Sequence, residues 1–187
     1  LSGDALLTEA FRLLMRWPMS DTPSVVSRKL RVAEQTAQAA GALGMVGGQV
    51  LDLHATGQIS TSQTSRKIEG KNLSSTDLRL MHERKTGALI RAAAVSGAIM
   101  VGASQTEIHA VDNYARNLGL AFQIIDDILD VEGEAEQIGK TVGKDAAAGK
   151  PTYPSMFGLD KSRGMASNLI QEACVHLEAA ALSGPLI

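Results

Sequence analysis

A glutamine and three aspartates in the second half of the chain form the pattern best suited to chemistry: Gln123, Asp126, Asp127 and Asp130. In an α-helix, which turns by about 100° per residue, these side chains fall within one arc of roughly 100°. Like charges this close repel one another, and near a helix C-terminus the macrodipole also disfavours anions. Mg²⁺ would compensate them, because it prefers carboxylate oxygens and shares its other coordination sites with water and substrate phosphates. A solvated acidic helix end is the other interpretation of this segment.

Glycine-lysine pairs follow the aspartates and end at Lys140, Lys144 and Lys150, with Asp145 between the second and the third. Such a loop suits a diphosphate, because lysine supplies positive charge and glycine lets the backbone approach closely. Alternatively, the lysines only neutralise the helix end. A nucleotide-binding P-loop is excluded, because Glu134 stands where its first glycine is required and no strand precedes the segment.

Two further polar pairs lie upstream of the aspartates. Lys85 and Thr86, beside Gly87, offer a charge and a hydroxyl donor that could meet phosphate oxygens. Gln49 and Asp52 lie one helical turn apart and form either a polar spot at a helix interface or a satisfied buried pair. The histidines show no zinc-ligand spacing, and the single cysteine has no neighbouring catalytic partner, so neither residue type predicts another site.

Apolar periodicity predicts helices that would position these residues. The predicted helices span residues 5–17, 25–53, 76–101, 106–131 and 155–181, with Ser75 or Thr76 capping the third. Polar or glycine-rich loops are predicted over residues 18–24, 54–75 and 133–154. An apolar stripe on the fourth helix is predicted to face the core: Ile108, Val111, Ala115, Leu118, Phe122, Ile125 and Leu129.

The composition favours one all-α domain over residues 1–187. Hydrophobic residues make up 44% of the chain and aromatic residues only 3%, so aliphatic side chains fill the core, which favours closely packed helices. A net charge of -2 argues against nucleic acid as a partner. The longest uncharged stretch, residues 35–51, is shorter than the roughly 20 apolar residues of a membrane span, and the N-terminus does not resemble a signal peptide. One cysteine fits a reducing compartment, so we expect a cytoplasmic protein that is not a membrane protein.

A series of motifs, in this order along the chain, resembles the trans-isoprenyl diphosphate synthases of the polyprenyl synthetase family, most closely the short-chain farnesyl and geranylgeranyl diphosphate synthases. The motifs are Gly3-Asp4-Ala5-Leu6, Gly47-Gly48-Gln49 with Asp52-Leu53, Lys85-Thr86-Gly87, Gly119-Leu120-Ala121-Phe122-Gln123, Asp126-Asp127-Ile128-Leu129-Asp130, Gly139-Lys140, Gly143-Lys144-Asp145 and Gly149-Lys150-Pro151-Thr152-Tyr153-Pro154. The resemblance implies an all-α, isoprenoid-synthase-type helical bundle around a central cavity.

The resemblance also implies a function: a Mg²⁺-dependent prenyltransferase of isoprenoid biosynthesis, which condenses an allylic diphosphate with isopentenyl diphosphate. The residues that match the family's second aspartate-rich motif and would bind Mg²⁺ are Asp126, Asp127 and Asp130. Those that would hold the allylic diphosphate are Lys85, Thr86, Gln123, Lys140 and Lys150. Of these residues, the resemblance assigns a catalytic part to Lys85, Asp126 and Lys140. It implies a homodimer as well.

The family's first aspartate-rich motif, which precedes the Gly-Asp-Ala-Leu segment, has no counterpart in this sequence. We therefore expect the chain to be the C-terminal part of a prenyl synthase domain, without its N-terminal helices and inactive alone. The alternative is a non-catalytic homologue or regulatory subunit of a prenyl diphosphate synthase. A terpene cyclase shares the metal-diphosphate strategy, but the lysine loop favours the synthases.

Overall fold

The structure, a computed structural model, describes residues 1–20, 22–59, 73–132 and 151–182. Within these ranges the chain is mostly helical and contains no strand, which confirms the predicted all-α class. The helices are α1 (Ser2–Arg16), α2 (Pro23–Ala40), α3 (Met45–Ala55), α4 (Ser75–His82), a π-helical segment (Glu83–Gly87), α5 (Ala88–Val101), α6 (Gln105–Glu132), α7 (Tyr153–Phe157) and α8 (Leu159–Ala179). Most of the predicted loops 54–75 and 133–154 lies outside the described residues. None of the described helices is long and apolar enough to cross a membrane.

The single helix predicted over residues 25–53 is wrong, because the chain forms two helices there. Helix α2 ends before Gly41, and α3 begins after Gly44. A Cβ atom built on Gly44 would lie 1.9 Å from the carbonyl oxygen of Ala39, so only glycine lets the chain pass this close to itself. These two glycines therefore belong to a turn between helices.

Helix α4, the π-helical segment and α5 follow one another without interruption and form one helical rod from residue 75 to residue 101. Ser74 caps the start of this rod, one residue before the predicted cap: its Oγ accepts a hydrogen bond of 3.1 Å from the Asp77 backbone N–H. Gly102 ends the rod in the left-handed conformation, with φ 80°, where the sequence predicts the end of the helix. The π-helical segment carries Lys85 and Thr86, and such segments are frequent at functional sites.

The apolar stripe predicted on α6 is correct in its first half and wrong in its second. Ile108 and Ala115 are buried, but Phe122, Ile125 and Leu129 are 55%, 38% and 45% exposed. The buried residues of the second half are Gly119, Leu120, Ala121, Ile124, Asp127 and Ile128. Both faces carry apolar residues at helical spacing, and the side on which α4, α7 and α8 pack decides which face is buried.

The last predicted helix, residues 155–181, is also divided, because Gly158 separates α7 from α8. Gly158 has φ 82° and ψ 158°, a conformation that is essentially restricted to glycine. Helix α7 begins earlier than predicted, with a capping box: Thr152 Oγ1 accepts from the Ser155 N–H, and Ser155 Oγ accepts from the Thr152 N–H. This short helix buries Tyr153, which is 3% exposed.

Two buried apolar clusters join the helices, and α6 contributes to both. The first connects α3, α4, α6, α7 and α8 through Ala55, Leu78, Met81, Leu120, Ile124, Ile128, Tyr153 and Ala166. The second connects α2, α5 and α6 through Val32, Val95, Ile99 and Ile108. Each fully buried aliphatic side chain contributes about 1.5–3 kcal/mol. The apolar core therefore holds α6 in place between the helices around it.

Three helix backbones approach one another closely at residues 85–87. A Cβ atom on Gly48 of α3 would lie 2.2 Å from the backbone nitrogen of Lys85. A Cβ atom on Gly119 of α6 would lie 3.1 Å from Cα of Gly87. Helices can approach this closely only where one of them carries no side chain at the contact. Gly48 and Gly119 therefore let α3 and α6 pack directly against the π-helical segment.

We expect the Gly48→Ala variant to have an unfolding free energy about 1–3 kcal/mol lower than that of the parent protein. The added methyl group meets a backbone atom that cannot rotate away. Gly164→Ala is the matched control: Gly164 also lies within a helix, α8, but a Cβ atom there meets nothing within 4 Å. The control should be neutral or more stable by about 0.5–1 kcal/mol. Urea unfolding of both variants measures the difference, and equal stabilities would contradict the close packing at Gly48.

Candidate functional site

Gln123 of α6 lies at the centre of the candidate site, where α6 faces the rod that carries α4 and the π-helical segment. Its Oε1 accepts a hydrogen bond of 3.1 Å from the Thr86 hydroxyl and lies 3.1 Å from Nδ1 of His82. Thr86 and Gln123, which were both predicted from the sequence, are thus in direct contact. His82 was not predicted to belong to the site.

Lys85 forms an ion pair with the carboxylate of Asp52, which lies on α3. The two side chains are 31% and 12% exposed, so the pair lies at the edge of the interior. The sequence left open whether Gln49 and Asp52 form a buried pair or a polar spot at a helix interface. Gln49 is exposed, so the two do not form a buried pair. Asp52 instead pairs with Lys85 across the interface between α3 and the π-helical segment. The close packing at Gly48 places α3 near enough to the π-helical segment for this ion pair to form.

The three predicted metal ligands lie in different environments. Asp126 is exposed and Asp130 is half-buried, and their spacing of four residues places them on the same side of α6. Asp127 is only 4% exposed: its Oδ2 accepts a hydrogen bond of 2.9 Å from the Tyr153 backbone N–H and lies 3.4 Å from Nε2 of His82. The side chain of Asp127 is therefore buried in the protein interior, whereas those of Asp126 and Asp130 are accessible to solvent.

The buried side of the site is aromatic. The rings of His82 and Tyr153 stack with their centroids 5.8 Å apart and an angle of 27° between their planes. Phe157 extends this contact, with its centroid 5.7 Å from that of Tyr153. Burial raises the pKa of the Tyr153 phenol further above physiological pH, where the phenol is neutral even without this shift. The stack therefore places an uncharged surface behind the imidazole of His82.

His82 could have been noticed in the sequence by its position four residues before Thr86, since residues with this spacing lie on the same side of a helix. Tyr153 belongs to the Lys-Pro-Thr-Tyr-Pro motif, but no sequence pattern indicated that its backbone N–H meets Asp127. Lys140 and Lys150, two of the predicted diphosphate ligands, lie outside the described residues, and their roles stay predictions.

The donors at Asp126 and Asp130 fit a hard divalent cation, because they are carboxylate oxygens on one accessible side of a helix. Within the described ranges, no three acidic, histidine or cysteine side chains lie close enough together to hold a metal ion. An ion bound by these two aspartates would therefore need further ligands from water, phosphate or residues beyond those ranges, and Mg²⁺ commonly takes water and phosphate.

One row of side chains along α6 combines an amide with two carboxylates. Gln123 lies about one turn before Asp126, and Asp130 lies about one turn after it, so the three side chains share one side of the helix. Thr86 of the neighbouring rod contacts this row through its hydrogen bond to Gln123, and Lys85 is the residue before Thr86 in that rod. The arrangement can bind an anion through its cation and polar donors, next to carboxylates that can bind a metal ion.

The family model for polyprenyl synthetase matches residues 1–180 of this chain. Among curated proteins, a dimethylallyltranstransferase from Fischerella ambigua (strain UTEX 1903) is 47% identical over 174 residues, which cover 92% of this chain and 46% of that protein. A chloroplastic geranylfarnesyl diphosphate synthase from Leucosceptrum canum is 43% identical over 173 residues, which cover 92% of this chain and 44% of that protein. The chain thus spans about half the length of the curated relatives that it matches.

Solved structures of similar proteins share the fold. An FPP/GFPP synthase from Zymomonas mobilis is 34% identical with a TM-score of 0.74, over 96% of this chain and 54% of that one. A geranyltransferase from Helicobacter pylori, complexed with magnesium and isoprenyl diphosphate, is 28% identical with a TM-score of 0.77, over 98% of this chain and 55% of that one. Because the family model and these relatives match nearly the whole chain, the chain belongs to the polyprenyl synthetase family.

Proposed function

We propose that the protein containing this chain is a prenyltransferase that condenses an allylic diphosphate with isopentenyl diphosphate into a farnesyl- or geranylgeranyl-sized trans-prenyl diphosphate. The observation that carries this proposal is the contact of Thr86 with Gln123, one helical turn from Asp126. In this proposal, the groups that would donate to the diphosphate and the carboxylates that would bind the metal ion lie on the same side of α6. The names of the relatives, a dimethylallyltranstransferase and a geranylfarnesyl diphosphate synthase, support the same function.

The polar groups of the site would bind the diphosphate that leaves the allylic substrate. As the carbon–oxygen bond breaks, negative charge develops on the diphosphate, and donors that are already in position stabilise this charge. The ammonium of Lys85, the hydroxyl of Thr86 and the amide of Gln123 would supply these donors. Asp52 holds the flexible side chain of Lys85 before the substrate binds, and the phosphate oxygens would then share the ammonium with this carboxylate.

Mg²⁺ held by Asp126 and Asp130 would add positive charge beside the diphosphate. The predicted third ligand, Asp127, accepts the Tyr153 N–H, so in this proposal it mainly holds α7 against α6. Lys140 would contribute to the same site, as the resemblance implies. In this proposal, these residues would serve the allylic half of the reaction, in which the diphosphate leaves and a carbocation forms.

The resemblance extends the proposal to the rest of the protein. We propose that Mg²⁺ is the cofactor, that the protein forms a homodimer in the cytoplasm, and that residues 1–187 belong to one domain. Since the chain spans about half the length of its curated relatives, we also propose that the chain is inactive by itself. The assays below therefore use the full-length protein that contains it.

A prenyl transfer assay tests the proposed function. The protein is offered dimethylallyl, geranyl and farnesyl diphosphates in turn, each with labelled isopentenyl diphosphate and Mg²⁺, and the product chains are identified. We expect a Mg²⁺-dependent product, whose length identifies the synthase. No product from any primer with folded protein would contradict the proposal and favour a non-catalytic or regulatory homologue.

Asp126→Asn should reduce kcat by at least about a hundredfold, because a lost metal ligand removes several kcal/mol of charge stabilisation from the transition state. Asp160→Asn is the control, since Asp160 has a 99% exposed side chain on α8 and should leave kcat unchanged. Both variants are compared at saturating substrate and Mg²⁺. A near-normal kcat for Asp126→Asn would remove Asp126 from the proposed metal site.

Lys85→Gln should raise the KM for the allylic diphosphate by about tenfold to a hundredfold, the usual size of a lost charge-assisted hydrogen bond. The KM for isopentenyl diphosphate should change much less, because the second substrate does not contact this lysine in the proposed site. Arg12→Gln, at an exposed arginine of α1, controls for the loss of one positive charge. A larger effect on isopentenyl diphosphate would reverse the assignment of the two substrates.

A further inference from the structure

His82 joins the two sides of the proposed site from within the protein. It is the last residue of α4 and is only 3% exposed. Its Nδ1 lies 3.1 Å from Gln123 Oε1, and its Nε2 lies 3.4 Å from Asp127 Oδ2. The second distance is longer than a well-formed hydrogen bond, and among the described residues Nε2 has no hydrogen-bond partner. The imidazole thus spans one turn of α6 between these two side chains.

The Thr86 hydroxyl has two possible uses but only one proton. In the structure it donates this proton to Gln123 Oε1. If the hydroxyl turned to donate to a phosphate oxygen, the partly buried Gln123 carbonyl would lose this hydrogen bond. An unsatisfied buried acceptor is costly, so the carbonyl needs a second donor if the threonine is to bind substrate. Nδ1 of His82 lies 3.1 Å from the same oxygen and can be that donor in the tautomer that carries the ring proton on Nδ1.

The same contact determines which end of the Gln123 amide faces the diphosphate. While the carbonyl oxygen is directed to His82 and Thr86, the amide nitrogen is directed elsewhere and can donate to a phosphate oxygen. The reversed amide would present its carbonyl to the phosphate, and two acceptors repel each other. A diphosphate site therefore requires a donor on the inner side of Gln123.

We propose that His82 is a positioning residue for the allylic diphosphate, a role that rests on the proposed function. It keeps the Gln123 carbonyl hydrogen-bonded, so that both the Gln123 amide nitrogen and the Thr86 hydroxyl can donate to phosphate oxygens. Stacking on Tyr153 holds the ring in place for this task. His82 itself does not contact the substrate.

Three substitutions at His82 separate this role from simple packing. His82→Asn places an amide group where Nδ1 lies and keeps a donor for Gln123. His82→Gln carries its amide one bond farther, towards Asp127. His82→Phe keeps an aromatic ring against Tyr153 but has no donor. Thermal unfolding of each variant reports whether the fold is retained.

The primary measurement is the Kd of inorganic pyrophosphate in the presence of Mg²⁺, determined by calorimetry on the full-length protein. His82→Phe should raise this Kd by about tenfold, the scale of one well-placed hydrogen bond, and His82→Asn by less than about threefold. In the prenyl transfer assay, His82→Phe should raise the KM for the allylic diphosphate and leave the KM for isopentenyl diphosphate within about twofold.

A double-mutant cycle with Thr86→Val tests whether His82 frees the threonine hydroxyl. In the parent protein, Thr86→Val should weaken pyrophosphate binding. In the His82→Phe background it should have little further effect, because the hydroxyl is then retained by Gln123. Independent contributions would instead be additive. Additive effects of the two substitutions would overturn the proposed role.

The outcomes distinguish this inference from the function on which it rests. If the parent protein binds pyrophosphate and transfers prenyl groups, but His82→Phe binds pyrophosphate equally tightly, the inference is wrong and the function stands. A folded parent protein with neither property would remove both. If His82→Phe does not fold, tighter pyrophosphate binding by His82→Asn than by His82→Gln supports the role of His82, and the reverse order overturns it.

Discussion

The close packing of three helix backbones around residues 85–87 is the constraint on which the site depends. Gly48 lets α3 approach the backbone of Lys85, and Gly119 lets α6 approach Gly87. Because no side chain separates the helices at these points, the polar groups beside them are within hydrogen-bonding reach of one another. Asp52 can then pair with Lys85, and α6 can present Gln123 to the neighbouring rod. The π-helical turn occurs at this contact, and such turns are frequent at functional sites.

Polar contacts and apolar packing reinforce each other in this region. Leu78, Met81 and Ile124 are almost completely buried in the core that also contains Tyr153, and His82 lies next to Met81 in the chain. In such surroundings hydrogen bonds are stronger than in water, and a polar group without a partner is costly. The contacts of His82 with Gln123 and of Asp127 with the Tyr153 N–H link α4, α6 and α7. The apolar core around them keeps these polar groups together, where each has a partner.

Helix geometry explains why the consecutive aspartates of the motif lie in different surroundings. Neighbouring residues in an α-helix point about 100° apart, so Asp126 and Asp127 lie at opposite edges of the arc that carries the motif. Asp126 remains exposed, whereas Asp127 is directed towards the interior, where the Tyr153 N–H compensates its oxygen. A motif that looks like a uniform cluster of carboxylates in the sequence thus contains one residue whose contacts are within the fold.

The sequence by itself determined the helical class and which polar residues of α6 share one side of that helix. The low aromatic content and the helical spacing of the apolar residues are enough to predict helices. The spacing of Gln123, Asp126 and Asp130 places these three side chains on one side of α6, whatever surrounds the helix. Only the tertiary structure decided which apolar face of α6 is buried, that Lys85 is the partner of Asp52, and that His82 contacts Gln123. The physical reason is that periodicity describes one helix at a time. Burial and ion pairing depend on which helix lies opposite, and glycine contacts between segments far apart in the chain set that arrangement.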